Sequence, residues 1–142
     1  MSEADINTHV ILVVGFVKKG NKILLAKRSS SDPQAGGQWS IPGGKVDVEI
    51  GDGVVEKTLS REILEETGVV VNGRFKYLGS DAFIRVSGHH VVSLVFLCNY
   101  KSGKARPLED QEEVHWFTLS ELKKIQLPGH LIKRVRLLQS SI

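Results

Sequence analysis

Apolar residues arrive in two rhythms along this chain. Residues 8–18 are a β-branched apolar run and predict a buried strand. Lys19-Gly20-Asn21 is a turn signal, and residues 22–28 (Lys-Ile-Leu-Leu-Ala-Lys-Arg) form a second apolar run, so the pair predicts a hairpin. The polar, glycine-containing stretch 29–38 predicts a loop. Residues 39–42 (Trp-Ser-Ile-Pro) predict a short extended piece, because a residue before proline is pushed out of the helical region. Gly43-Gly44 predicts a tight backbone feature, and 45–53 another loop. The spacing then changes to the helical period over 54–67, with Gly68 as the stop signal.

Val69-Val70-Val71 opens a new strand region. Residues 74–86 and 89–100 predict two longer strands that meet near Ser87-Gly88, a second hairpin. Residues 107–113 predict an acidic loop, and 114–117 a strand. Thr118 with Glu121 three places later is a capping-box signature, and a last helix is predicted over about 129–139. Strands dominate, with one helix in the middle of the chain: a mixed α/β fold. Neither repeats nor a linker divide it, so residues 1–142 predict one domain with one core.

Composition narrows the class only a little. No apolar run approaches the ~20 residues of a membrane helix, so no membrane partner is expected. The start, Met1-Ser2-Glu3-Ala4-Asp5, lacks a signal pattern, and the lone Cys98 lies beside Phe96 and Leu97 as a buried strand thiol would. A reducing, cytoplasmic setting is the expectation. The net charge of +3 is too mild to predict a nucleic-acid polymer as partner, yet it favours a phosphorylated small molecule. Lys123, Lys124, Lys133, Arg134 and Arg136 cluster late in the chain and read as a solvated helix face.

The chemistry is concentrated in the middle helix. At 100° per residue Glu62, Glu65 and Glu66 share about 100° of arc, and that arc overlaps Val55, Leu59 and Ile63. Acids normally face water, away from the apolar stripe. Here they border the stripe that should meet the core, where crowding and burial both raise the cost of their charge. They also sit at the helix C-terminus, where the macrodipole disfavours them. A divalent cation bound by hard oxygen ligands, Mg²⁺ or Mn²⁺, would relieve the repulsion. The alternative is a merely decorated surface helix, and the helix by itself leaves both open.

Read together, Pro42-Gly43-Gly44 and Arg61-Glu62-Ile63-Leu64-Glu65-Glu66-Thr67-Gly68-Val69 resemble the Nudix box of the MutT-like Nudix hydrolases. That pattern ends in Arg-Glu-U-x-Glu-Glu-x-Gly-U, with U aliphatic, and every defined position of this half is matched. The approach to the box (Lys27-Arg28, then residues 38–44) and the late 116–122 segment extend the similarity over nearly the whole chain. The first half of the box departs from the pattern. Three extra residues separate Gly44 from Arg61, and the first box glutamate falls on Ile50 or Gly53, depending on the direction of counting. Glu49, Asp52 and Glu56 are the nearby acids, and the sequence leaves the choice among them open.

The resemblance implies a Nudix fold, α+β, with a mixed sheet sandwiched between helices. It implies Mg²⁺-dependent hydrolysis of a phosphoanhydride bond in a nucleoside diphosphate linked to another group, with a nucleoside triphosphate going to monophosphate plus pyrophosphate as the first expectation. Glu62, Glu65, Glu66 and the carbonyl of Gly43 are the implied metal ligands. Arg61 is implied to pair with a box carboxylate and orient it. Arg28, Gly44 and Lys45 are expected at the substrate. A further acid of the loop 109–113, with Glu112 as the candidate, is expected to serve as base or extra ligand. Many relatives are dimers, so a homodimer is compatible. The disrupted first half of the box suggests the alternative of a nucleotide sensor that binds without cleaving. Some relatives acting on ADP-ribose carry a proline about fifteen residues beyond the box, and its lack here, with no proline between Pro42 and Pro107, disfavours that substrate.

Other motifs fall away. Asp47-x-Glu49-x-Gly51 lacks the glycine and final glutamate of a Ca²⁺ loop, and Gly43-Gly44-Lys45 lacks the first glycine of a phosphate loop. His89 and His90 are adjacent and point to opposite faces of a strand. His9, His115, Trp39 and Phe83 are expected in packing or solvent before any ligand role.

Overall fold

The computed structural model describes residues 8–33 and 36–142. The first apolar run is β1 (Val10–Lys19), buried on both faces: Val13 and Val17 belong to one core cluster, Val14 and Phe16 to the other. The remaining elements follow as β2 (Lys22–Arg28), β3 (Trp39–Ser40), β4 (Gly43–Lys45), α1 (Val54–Thr67), β5 (Val70–Ile84), β6 (His90–Ser102), β7 (Gln111–Thr118), α2 (Leu119–Leu122) and α3 (Gly129–Ser141).

The strands make one seven-stranded mixed sheet in the order β3-β2-β1-β6-β5, with β4 also paired to β1 and β7 to β2. β1 and β6 run parallel from Val10↔Val91 to Lys18↔Asn99, which only a long crossover connection allows. The expected first hairpin is present but short. β1 meets β2 only near the turn, at Lys18↔Ile23 and Lys19↔Lys22. Its other half is taken by β4 (Leu12↔Lys45 to Val14↔Gly43), while β2 is paired along its length by β7. The second hairpin, β5 with β6, is long and carries irregular register near Val71–Phe75 and Tyr77–Gly79.

Helices cover both faces. Leu59 and Ile63 of α1 pack with Val13, Val17, Leu24 and Cys98 on one side. Leu131, Val135 and Leu138 of α3, with Leu122 of α2, pack on Val14, Phe16, Ile23 and Leu25 on the other. A leucine buried as fully as Leu59 contributes about 1.5–3 kcal/mol. Gly15 makes that packing feasible, since a β-carbon there would lie 2.9 Å from Cys98 Sγ and 3.1 Å from a Leu59 methyl. Burial pushes the Cys98 thiol up to about 12, as befits a packing residue rather than a nucleophile.

The predicted capping box is formed: Thr118 Oγ1 accepts from the Glu121 N–H, and Glu121 Oε1 accepts from the Thr118 N–H. The basic C-terminal cluster is not uniformly solvated. Arg134 is buried and donates to both carboxylate oxygens of Asp81 on β5, at 2.9 and 3.1 Å, and to Ser93 Oγ at 3.1 Å. Asp81 supplies a fixed counter-charge that the helical pattern could not reveal. Among the described residues no helix is long and apolar enough to cross a membrane.

Candidate active site

Helix α1 starts at Gly53 without a side-chain cap and stops at Gly68, whose φ of 74° lets its N–H return to the Leu64 carbonyl. Between them the apolar stripe docks Leu59 and Ile63 on the sheet and carries the acids to the edge of the docked face. They form a gradient. Glu66 is 5% exposed, and the side chains of Glu62 and Glu65 are 18% and 40% exposed.

Glu66 is held at both oxygens. The Gly43 N–H donates to Oε1 at 3.1 Å, and Gln111 Nε2 donates to Oε2 at 2.9 Å. Burial pushes its carboxyl up to about 8, against the opposing pull of the Gly43 N–H and the Arg28 charge. Glu62 is likewise raised by burial, with Arg61 pulling the other way. The glycine pair of β4 is what lets the backbone come so near. A β-carbon on Gly43 would run into the Val13 carbonyl, and one on Gly44 into the carboxyl of Glu62.

Arg61 ties the acids together. Its Nε donates to Glu49 Oε1 at 2.8 Å, and its Nη1 to Glu62 Oε1 at 3.1 Å and to both Glu65 oxygens at 3.2 Å. The acid left open by the broken first half of the box is therefore Glu49 as far as contact with Arg61 goes. Its hydrogen bond from Arg61 holds it below the usual glutamate range. Ile50, one counted position, is 91% exposed, and Asp52 is exposed in the loop. A loop lengthened by three residues can still return an acid to the same guanidinium, which residue counting does not capture.

The loop before β7 closes the site. Arg106 and Leu108 donate their N–H groups to the carbonyls of Thr67 and Glu66, at 2.9 and 3.0 Å, which satisfies the end of α1. This fastening brings Glu109, at φ 52°, to the helix acids. Glu62, Glu65 and Glu109 each offer an oxygen within 4.8 Å of the others. Glu112 is not brought to this group. It is exposed at the register shift where Lys27 pairs with Glu113 and Arg28 with Gln111. The bulge skips Glu112, and the period-2 pattern of the strand gives no warning of it. The sequence points to an acid of the loop 109–113 with Glu112 as candidate; within that loop Glu109 is the acid beside the helix, and Gln111 at Glu66 is the residue that went unnoticed. The signal was only the run of acids itself.

Arg28 ends β2 near this cluster and is paired with Asp32 at 3.4 Å, while Lys45 is exposed at the end of β4. Trp39 packs edge-to-face on Phe117 and His115, which is its core use. An open groove of about 780 Å³ lies by the β1–β2 turn, and another of about 710 Å³ lies on the outward side of α1. Glu62, Glu65, Glu66 and Glu109 do not line either groove. As a donor set they are all oxygen, crowded and anionic. That chemistry fits Mg²⁺ or Mn²⁺ and does not suit a soft metal.

Known proteins resemble this chain along most of its length. A NUDIX domain family model matches residues 7–138. A MutT NUDIX hydrolase from Burkholderia pseudomallei superimposes with a TM-score of 0.76 at 30% identity, covering 92% of this chain and 98% of that one. The ADP-ribose pyrophosphatase of Methanocaldococcus jannaschii is 34% identical over 115 residues, 81% of this chain and 65% of its own length. The NAD-capped RNA hydrolase NudC of Actinobacillus succinogenes is 34% identical over 74% of this chain and 38% of its own length. The chain thus spans less than two thirds of the curated relatives it matches. Matched along nearly its whole length and carrying the acidic helix against the glycine strand, the chain belongs to the Nudix hydrolase family.

Proposed function

We propose that the protein hydrolyses the phosphoanhydride bond of a nucleoside diphosphate linked to a second group, with Mg²⁺ or Mn²⁺ held by Glu62, Glu65, Glu66 and the Gly43 carbonyl. The observation that carries this reading is the convergence of Glu62, Glu65 and Glu109 within 4.8 Å, beside a buried Glu66 and two glycines. When bound, the cation neutralises diphosphate oxygens and lowers the pKa of the attacking water. The chain's own groups do the rest. Arg61 orients Glu62 and Glu65, and Arg28 and Lys45 meet phosphate. Glu109, on its loop, takes the proton as the water oxygen bonds to phosphorus. The bridging P–O bond breaks in line, and its electrons leave with the departing phosphate.

A nucleoside triphosphate, giving monophosphate and pyrophosphate, is the first substrate proposed. The names of two curated relatives favour a second: an adenosine diphosphate esterified to a ribose or nucleoside, as in ADP-ribose and NAD. A panel of nucleoside triphosphates, ADP-ribose, NAD and dinucleotides, assayed with Mg²⁺ for the nucleoside monophosphate formed, separates them. Turnover of one class is expected, with Glu65→Gln and Glu66→Gln each lowering it by at least ~10²-fold in folded protein. Tight nucleotide binding without product from any member would replace catalysis by the sensor reading.

A further inference from the structure

Glu66 needs more than burial to be useful at this site. The terminal torsion of a glutamate is broad and roughly two-fold, so one hydrogen bond leaves its carboxylate plane free to turn. Gly43 holds Oε1, and Gln111 Nε2 holds Oε2 at 2.9 Å, so the plane is set from both sides. Gln111 is itself anchored. Its N–H donates to the Leu108 carbonyl at 3.1 Å, and the neighbouring Asp110 carbonyl accepts from the Ser29 N–H at 2.8 Å. The segment 108–111 therefore grips Glu66 by both its backbone carbonyl and its side chain while it carries Glu109 to the helix acids.

A second observation separates function from packing. The other end of the same amide, Gln111 Oε1, is buried and has no hydrogen-bond partner among the described residues. A buried polar atom without a partner costs stability, and that cost offsets much of what the bond from Nε2 to Glu66 returns to folding. The amide thus adds little net to folding and still directs the carboxylate.

We propose that Gln111 is a positioning residue, aiming the Glu66 carboxylate at the cation that Glu66 shares with Glu62 and Glu65. The proposal rests on the reading of this cluster as a divalent-cation site. Partners of metal-binding side chains change affinity by ~10–100-fold when lost.

The test is Gln111→Met, which keeps the shape and removes the donor, made alone and together with Glu66→Gln. Mn²⁺ affinity is read by electron paramagnetic resonance of the free ion, folding by the metal-free Tm, and kinetics as kcat and KM separately. Gln111→Met is expected to weaken Mn²⁺ binding and lower kcat by ~10-fold or more, with KM for the nucleotide unchanged and the protein still folded, its metal-free Tm lowered by a few degrees at most. In the Glu66→Gln background the same change is expected to cost nothing further, because the two residues act as one unit. Mn²⁺ affinity within twofold of the parent would overturn the proposal, as would an equal loss in both backgrounds. Parent protein that takes up no Mn²⁺ would overturn the cation reading itself and this proposal with it; parent uptake with an unaffected variant overturns this proposal alone.

Discussion

Gly44 and Glu62 stand so close that a β-carbon on the glycine would lie 2.7 Å from Glu62 Oε1. No rotation of a methyl group relieves such a contact, because β4 is fixed on the other side by its pairing with β1. Gly44→Ala is expected to push the Glu62 carboxylate out of the cluster and lower metal-dependent turnover by ~10²-fold, the scale on which small displacements in a catalytic site act. Steady-state kinetics with a Mg²⁺ titration checks it, and a rate within threefold of the parent would mean that Glu62 has room to spare.

The bulge in β7 separates two neighbouring acids. Glu109 is within reach of Glu62 and Glu65, whereas Glu112 is exposed at the register shift. Glu109→Gln is expected to reduce kcat by ~10²-fold, the ordinary worth of a general base, and Glu112→Gln by less than twofold. The reverse ranking would return the role to Glu112.

Glu66 makes stability depend on pH. Its folded carboxyl stands at about 8, against 4.5 for the unperturbed group, with burial as the main cause. Below the unperturbed value both folded and unfolded chains keep the proton, and the group costs nothing. As pH rises toward the folded value only the unfolded chain ionises, so metal-free stability falls, by at most about 5 kcal/mol. A bound cation takes the ionised carboxylate, so stabilisation by Mg²⁺ is expected to grow over the same window. Thermal melts across that range, with and without Mg²⁺, test this. Glu66→Gln should flatten the metal-free slope, and an equally steep slope in that variant would assign the effect elsewhere.

The Arg134–Asp81 pair is expected to matter for folding and not for the cluster. Arg134 is 5% exposed, while the Asp81 side chain remains 38% exposed. Asp81→Ala leaves a buried guanidinium without its partner and should cost about 2–3 kcal/mol, somewhat below the full range for buried pairs because Asp81 meets solvent. Arg134→Met should cost less, since it removes the charge as well. Urea unfolding measures both, and Mn²⁺ affinity should stay at the parent value in each.

Local order was legible in residues 54–67, where the helical period, the glycine stop and the overlap of acids with Leu59 and Ile63 all follow from positions a few residues apart. The element found there has the predicted bounds. The same is true of the turn at residues 20–21 and of the capping box at Thr118 and Glu121, which are contacts between near neighbours. The parallel pairing of β1 with β6 was not legible, because alternation of apolar residues says which faces are buried and not which strand lies alongside.

The residue types of the site, a box of acids following a glycine pair, were determined by the sequence alone, since they sit on one helix and one short segment whose spacing is local. Which further groups join them was decided only by tertiary structure. Glu49 reaches Arg61 across a lengthened loop, Glu109 arrives because the loop before β7 fastens to the end of α1, and Gln111 meets Glu66 from a distant strand. A bulge then turns Glu112 away. Each of these depends on the path of the backbone between distant segments, and an insertion, a positive φ or a shifted register changes that path without leaving a period in the chain for a reader to find.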